Sequence, residues 1–328
     1  MRITTGVKIG GTDSFRLACS KLLGIYGVNL QNPPPALCRA CIPDKGKIFL
    51  QRDQAGAESL IVANESGEGL YKRLVDANVK QHVYVALHAF MDHFIPDKSQ
   101  HHLYNRQEPT TLKTYPTWPS LVKSIKQDEI KYYIGKVTNH ARSYKMKWPT
   151  FQLFVLNQTE GRVVLSKEQA KFFLELWDSL FPEVLTWQDK IEHTLREDRR
   201  LVNLLGYPRE FYTKITEAVV RSAISWIPQS TVGCITHEAA IAFTDYIEDN
   251  NLSNWDLLNN KHDSLLIQIP DDKQEIEHAL KATRNQMNIE LTSSAGIKYH
   301  MKSEAALGYN WDKFHPEKNP KGMKEVAE

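Results

Sequence analysis

The sequence predicts an α+β fold in which helices outnumber strands. Three observations carry this expectation. Two apolar runs of strand length, "KIFLQRD" (47–53) and "LLIQIP" (265–270), are bounded by turn-forming residues. The stretches between them show helical periodicity over spans too long for strands. Hydrophobic content of 41% and charged content of 24% over 328 residues suit a globular chain with a sizeable core, in one large domain or two smaller ones.

"NPPP" (32–35) excludes helix at its position. The turn signal Asp44-Lys45-Gly46 introduces the first strand, which Asp53 ends. From Glu58 to about Phe94 the pattern is helical. Ile95 to about Ser124 is rich in Pro, His, Thr and Tyr and reads as a long loop or insertion. "DEIKYYIGKVTNHARSYKMKW" is helical at its start. Ser166 to about Leu205 reads as two helices broken near Phe181-Pro182. Glu217–Ile227 is helical up to Pro228, and Thr231–Asp249 is helical again. Trp255–Ile269 forms a hairpin. Lys273–Asn288 is helical with an edge strand after it, and the charged tail from Pro316 is expected to fray.

Composition narrows the function. A formal net charge of +2 gives no global basic signal for nucleic acid, although a cleft can be basic on a near-neutral protein. No apolar run reaches the ~18 residues of a membrane span, and no signal peptide opens the chain, so we expect a cytoplasmic protein with no membrane partner. Cys38 and Cys41 form a lone C-x-x-C without a second ligand pair. With Cys19 and Cys234 they read as reduced cysteines, not as a zinc site.

The chemistry-bearing residues sit at strand ends. Asp263, beside His262, stands at the mouth of the second strand. Alone it is either an Asx-turn cap or a metal ligand. Asp53 supplies a second carboxylate at the end of the first strand. Two carboxylates on adjacent strands can hold two Mg²⁺ ions, with substrate phosphates completing the coordination. "KVTNHARSY" offers Lys136, His140 and Tyr144 at intervals of four, which a helix aligns on one face. That spacing suits a triphosphate contact, and equally a solvated or packed face.

At this point the chain resembles the polymerase half of family A DNA polymerases, the class of bacterial DNA polymerase I and many phage replicative polymerases. Seven motifs carry the resemblance in order, over roughly Arg2–Phe314. "TDSFRLACS" is similar to T-x-x-G-R-L-S-S, with Phe15 where glycine is usual. "NLQN" (29–32) matches directly. "DQAGAESL" resembles motif A, retaining Asp53 and Glu58. "KVTNHARSY" resembles motif B, with His140 in the Phe position. "RSAISWIPQST" keeps Arg221 and Gln229 but places Ser225 for Asn. "KHDSLLIQIP" resembles motif C, V-H-D-E-L-V-F-E-V-P, with Ser264 in the Glu position. "GYNWDKF" is similar to the C-terminal G-x-x-W ending.

The resemblance implies a palm with an antiparallel sheet carrying Asp53 and Asp263, and helical fingers inserted between them. The palm would comprise 1–64 and 216–316, the fingers 65–215 with an insertion at about 95–124, and a charged tail 317–328. Few residues precede the Arg16 motif, so we expect no thumb in this chain and a second polypeptide carrying a thumb and a 3′–5′ exonuclease; a truncated chain is the alternative. The implied reaction is template-directed transfer of dNMP from dNTP to a primer 3′-hydroxyl, using two Mg²⁺ ions with Mn²⁺ as a substitute. Asp53, Asp263 and the backbone carbonyl of Gln54 would hold the metals. Lys136 would contact the triphosphate, with His82 as a second contact; Tyr132 stands where the family has an Arg. Glu58 would close the sugar pocket, His140 would face the sugar, and Tyr144 would stack near the nascent pair. Arg16, Asn29, Gln31, Arg221, Gln229 and His262 would hold primer–template DNA. Ser264 leans instead toward single-subunit RNA polymerases. A non-catalytic DNA-binding relic is a third reading, opposed by the retention of both aspartates. A phage-encoded chain would work in the host cytoplasm.

Overall fold

The computed structural model describes residues 5–8, 10–20, 27–54, 56–104 and 109–327. Residues 1–4, 9, 21–26 and 55 of the expected first palm segment lie outside these, as do 105–108 of the expected loop and 328 of the tail. The chain divides into two compact units. One comprises Met1–Glu58, Val202–Tyr207 and Trp226–Glu328; the other comprises Ser59–Leu201 and Pro208–Ser225.

The first unit is built on an antiparallel sheet. It opens with the ribbon β1 (Gly6–Lys8) and β2 (Ala18–Ser20), helix α1 (Pro35–Ala40) and strand β3 (Lys47–Gln54). The chain then leaves for the second unit, beginning with α2 (Ala57–Ser66), α3 (Leu70–Asp76), α4 (Gln81–Ala89), α5 (Met91–Phe94), α6 (His101–Tyr104), α7 (Pro109–Thr114) and α8 (Trp118–Gln127). It continues through α9 (Glu129–Ser143), α10 (Trp148–Gln158), α11 (Lys167–Leu180), α12 (Pro182–Asp198) and the ribbon β4 (Arg200–Val202) and β5 (Pro208–Glu210), of which the segment Val202–Tyr207 is counted with the first unit. Helix α13 (Glu217–Asp249) returns it. The hairpin β6 (Asp256–Lys261) and β7 (Ser264–Pro270), α14 (Lys273–Met287), the ribbon β8 (Ile289–Thr292) and β9 (Lys298–Met301), then β10 (Ser303–Gly308) and β11 (Lys324–Val326) complete the first unit.

The main sheet runs in the order β11-β10-β3-β7-β6. Alternation along each strand divides its side chains between two faces. Ile48, Leu50, Leu265, Ile267 and Ile269 face the helices, packing with Phe243 of α13, Ala279, Ala282 and Met287 of α14, and Trp255. Fully burying each such aliphatic side chain contributes about 1.5–3 kcal/mol. Phe49 and Leu266 lie on the opposite face with Trp311. The second unit has its own core, in which Ile134, Val137 and Ala141 of α9 meet Phe151 and Val155 of α10 and Phe173 and Leu174 of α11.

The helical pattern from Glu58 to Phe94 is present as four helices, broken where Gly67 adopts φ +80° and Asn78 φ +52°. Four expectations change. The expected loop at 95–124 is largely helical: Asp97 caps a 3₁₀ turn at Lys98–Gln100, and Pro109 and Pro119 occupy the first turns of α7 and α8, where a missing N–H costs nothing. Pro228 does not end its helix. α13 runs through it, and Thr231 Oγ1 donates to the Ile227 carbonyl at 2.7 Å just beyond. The strand after α14 joins β9 in a separate ribbon and not the edge of the main sheet. The tail is not frayed, since β11 pairs with β10, Asn310 and Asn319 exchange amide hydrogen bonds, and Met323 packs against the Trp311 cluster. Gly308 permits this closure: a Cβ there would lie 2.8 Å from the Gly322 backbone.

Candidate active site

β3 and β7 bring the two aspartates together. In their register Asp53 faces Ser264, and the Gln54 amide donates to the Asp263 carbonyl at 2.9 Å. Asp263 therefore sits in the β6–β7 turn immediately beyond the end of β3. Burial and the like charge of Asp263, with a further share from Glu304, push the Asp53 carboxyl up to about 7. Asp263 is also raised, first by burial, against the lowering influence of Arg16 and Lys261. Two partly buried carboxylates that resist ionising side by side form an oxygen-donor pair suited to a hard divalent cation. Among the described residues no group of three or more His, Cys, Asp or Glu is placed to hold a metal, so the pair would need oxygens from elsewhere.

The hairpin turn is held from outside. His262 adopts φ +54°, an uncommon conformation for a residue with a Cβ. Gln31, 3% exposed, donates through Nε2 to the Asn260 carbonyl at 2.7 Å and accepts from the His262 amide at 3.3 Å. Asn259 donates to the Leu30 carbonyl at 3.0 Å. The side-chain amide of Gln31 thus bonds the hairpin backbone on both sides of the turn. Asn29 is exposed, and its Oδ1 accepts from the Gln31 amide at 3.0 Å as an Asx turn.

Arg16 and Glu58 meet at 2.5 Å, both side chains partly buried. The backbone before Arg16 explains the departure at Phe15: its φ is +59°, the region where glycine is at ease. Phe15 keeps that turn while packing its ring on Tyr207 and Trp226. Gly233 of α13 approaches closely, since a Cβ there would lie 3.0 Å from the Ser14 carbonyl oxygen. Arg16 Nε, His262 Nδ1 and both amide atoms of Gln54 are buried without a hydrogen-bond partner, and such groups call for an explanation in function or bound species. Arg221 and Gln229 both lie on α13, half-buried, eight residues apart.

In the second unit, α9 presents Lys136 and His140 exposed one turn apart. Tyr144 does not continue the helix. It is the buried C-cap, with its ring 5.3 Å from that of His140. The rear of α9 is fixed by Trp177, which donates to Asn139 Oδ1 at 3.0 Å, and by close approach to α4 at Gly135, where a Cβ would lie 2.5 Å from the His82 carbonyl oxygen. His82 Nε2 lies 3.0 Å from the Tyr132 hydroxyl. Burial, then Lys136, Lys80 and Lys126, lower the His82 imidazole to about 4. At neutral pH it is uncharged, so it can offer phosphate a hydrogen bond but no positive charge.

Sequence reasoning passed over two residues. Glu304 of β10 faces Asp53 directly, a pairing that long-range register alone creates. Lys261 faces Ser264 across the hairpin. It was readable, because it stands where the motif resembled by "KHDS" has Val.

No helix among the described residues is long and apolar enough to cross a membrane. No family model matches the sequence, and no curated protein matches it. Among solved structures, the chain is similar to the POL domain of Pol1 from M. smegmatis in complex with DNA primer-template and dNTP, with a TM-score of 0.66 and 19% identity. The match covers 95% of this chain and 48% of that one, so this chain spans about half the length of its structural neighbour. At that identity the likeness is one of architecture: this chain has the fold of a DNA polymerase POL domain.

Proposed function

We propose that this chain carries out template-directed DNA synthesis, adding dNMP from dNTP to a primer 3′-hydroxyl. The observation that carries the reading is the juxtaposition of Asp53 and Asp263 where β3 meets the β6–β7 turn, on a sheet with the polymerase fold. Asp53, Asp263 and the Gln54 carbonyl would hold divalent cations, Mg²⁺ or Mn²⁺, and the pair of mutually repelling carboxylates fits that group. When bound, two such ions supply charge neutralisation for the attacking and leaving oxygens of phosphoryl transfer.

The chain's own residues divide the remaining work. Lys136 binds anionic oxygens of the triphosphate and steadies the charge left on departing pyrophosphate. His82 adds a neutral hydrogen bond. His140 faces the sugar, and the Tyr144 ring, held at the helix end, gives the nascent pair an aromatic surface. Glu58, oriented by Arg16, narrows the sugar pocket against a 2′-hydroxyl. Arg16, His262, Arg221 and Gln229 test the minor groove through acceptors common to all base pairs.

Ser264 in place of the motif's glutamate favours a second reading, RNA synthesis. A primer-extension assay with Mg²⁺, run in parallel with dNTP and rNTP, decides between them. Extension with dNTP and little with rNTP is expected; equal use of both would favour the second reading, and no extension with either would reject both.

A further inference from the structure

Sheet register sets four side chains in a row. Glu304 of β10 faces Asp53 of β3, Asp53 faces Ser264 of β7, and Ser264 faces Lys261 of β6. Directly opposed residues project from the same face, with neighbouring Cβ atoms about 4.5–5.5 Å apart. A lysine therefore ends the row that contains Asp53, and it precedes Asp263 by two residues.

This lysine is seated. Its Nζ lies 5.4 Å from the centroid of the Trp311 ring. Trp311 is itself 7% exposed, its Nε1–H donates to Gln51 Oε1 at 2.9 Å, and its backbone amide is bonded to the carbonyls of Cys38 and Cys41. Lys261 is half-buried, and the fixed Trp311 ring seats its ammonium, in the same cross-strand row as Asp53. Its charge is felt at both carboxylates, lowering Asp53 and Asp263 against the effect of burial. An apolar residue would cover Trp311 equally well, so packing alone does not account for a cation there.

We propose that Lys261 grips a backbone phosphate of the nucleic-acid strand whose 3′ end is extended at Asp53 and Asp263. The inference rests on the polymerase reading. Phosphates of one strand follow at about 3.4 Å of rise, so a strand ending at the carboxylates brings phosphates beside them. A half-buried ammonium in the row of Asp53 meets that charge without first being ordered. The rival role is that Lys261 only offsets the carboxylate pair.

Salt dependence separates the two. Primer–template binding by fluorescence anisotropy, without nucleotide, is compared for the parent, Lys261→Met and Lys261→Arg between 50 and 200 mM NaCl. Losing one phosphate contact lowers the slope of log affinity against log salt by about 0.9. Lys261→Met, which keeps the cover on Trp311, should show that reduction and weaker binding, while Lys261→Arg keeps the parent slope. Far-UV circular dichroism of each variant excludes unfolding as the cause. Equal slopes for parent and Lys261→Met, or a change confined to the Mg²⁺ concentration for half-maximal extension, would overturn the proposal. A parent protein that binds primer–template but never extends it would reject the polymerase reading separately, with the slopes still judging Lys261.

Discussion

The sheet and helix α9 hold their polar groups by opposite means. Asp53 and Asp263 are fixed by buried strands, partly withdrawn from water and pressed against like charge. Lys136 and His140 stand in solvent on the outer face of a helix whose rear is locked by Trp177 and Gly135. The carboxylates are electrostatically uphill where they stand. The exposed Lys136 costs little to carry. Disturbing the first should therefore affect both chemistry and stability, and disturbing the second should affect chemistry alone.

The largest effect is expected at the carboxylates. Asp53→Asn or Asp263→Asn should lower primer extension by about 10³-fold or more while primer–template binding persists, because the cation-holding charge is gone and the DNA contacts are not. Single-turnover extension and anisotropy measured on the same preparations check this; near-parental extension by either variant would remove the carboxylates from the mechanism.

Stability without metal sharpens the contrast. Asp53 is raised from an unfolded value of 3.8 to about 7. A raised carboxyl stabilises the fold fully below its unfolded value, and that contribution is lost as pH climbs through the window from 3.8 to about 7. Chelator-treated parent protein should thus be less stable at pH 8 than at pH 5, with about 2–4 kcal/mol as the ceiling of the Asp53 share. Asp53→Asn should flatten this dependence and be the more stable protein at pH 8. Urea titrations at the two pH values test it, and an unchanged slope in the variant would refute the electrostatic account.

On the helix, Lys136→Ala should reduce kcat/KM for dNTP by about 10²-fold and leave the urea midpoint within about 0.5 kcal/mol of the parent, as for surface substitutions generally. A large loss of stability would mean that α9 is not carrying its lysine freely. The smallest effect is expected at Glu58→Ala, which should raise the relative use of rNTP about tenfold, a discrimination typical of pocket shape. Competition between dNTP and rNTP on one template reads it directly; unaltered selectivity would move the sugar gate elsewhere.

The sequence revealed what depends on local pattern. Strand-length runs bounded by turns placed β3 and the β6–β7 hairpin, and the break at Phe181-Pro182 separated α11 from α12. Prolines misled in two ways. Pro109 and Pro119 start helices in what reads as a loop, and Pro228 sits inside one, tolerated within the buried packing of α13. Both depend on context that a local pattern does not contain. Asp53 and Asp263 were legible because acids at the ends of apolar strands are conspicuous. Glu304 was not, since only the pairing of β10 with β3 carries it to Asp53. The hydrogen bonds of Gln31 to the hairpin were hidden for the same reason, because they reach across more than two hundred residues.

Everything proposed above rests on the Asp53–Asp263 pair as the site of template-directed synthesis. Its most direct test is extension of a labelled primer on a defined template by the parent and by Asp263→Asn, with Mg²⁺ and each dNTP supplied singly. The parent should add only the nucleotide complementary to the next template base, and the variant should add none at comparable DNA occupancy. Addition regardless of template, or equal addition by the variant, would contradict it.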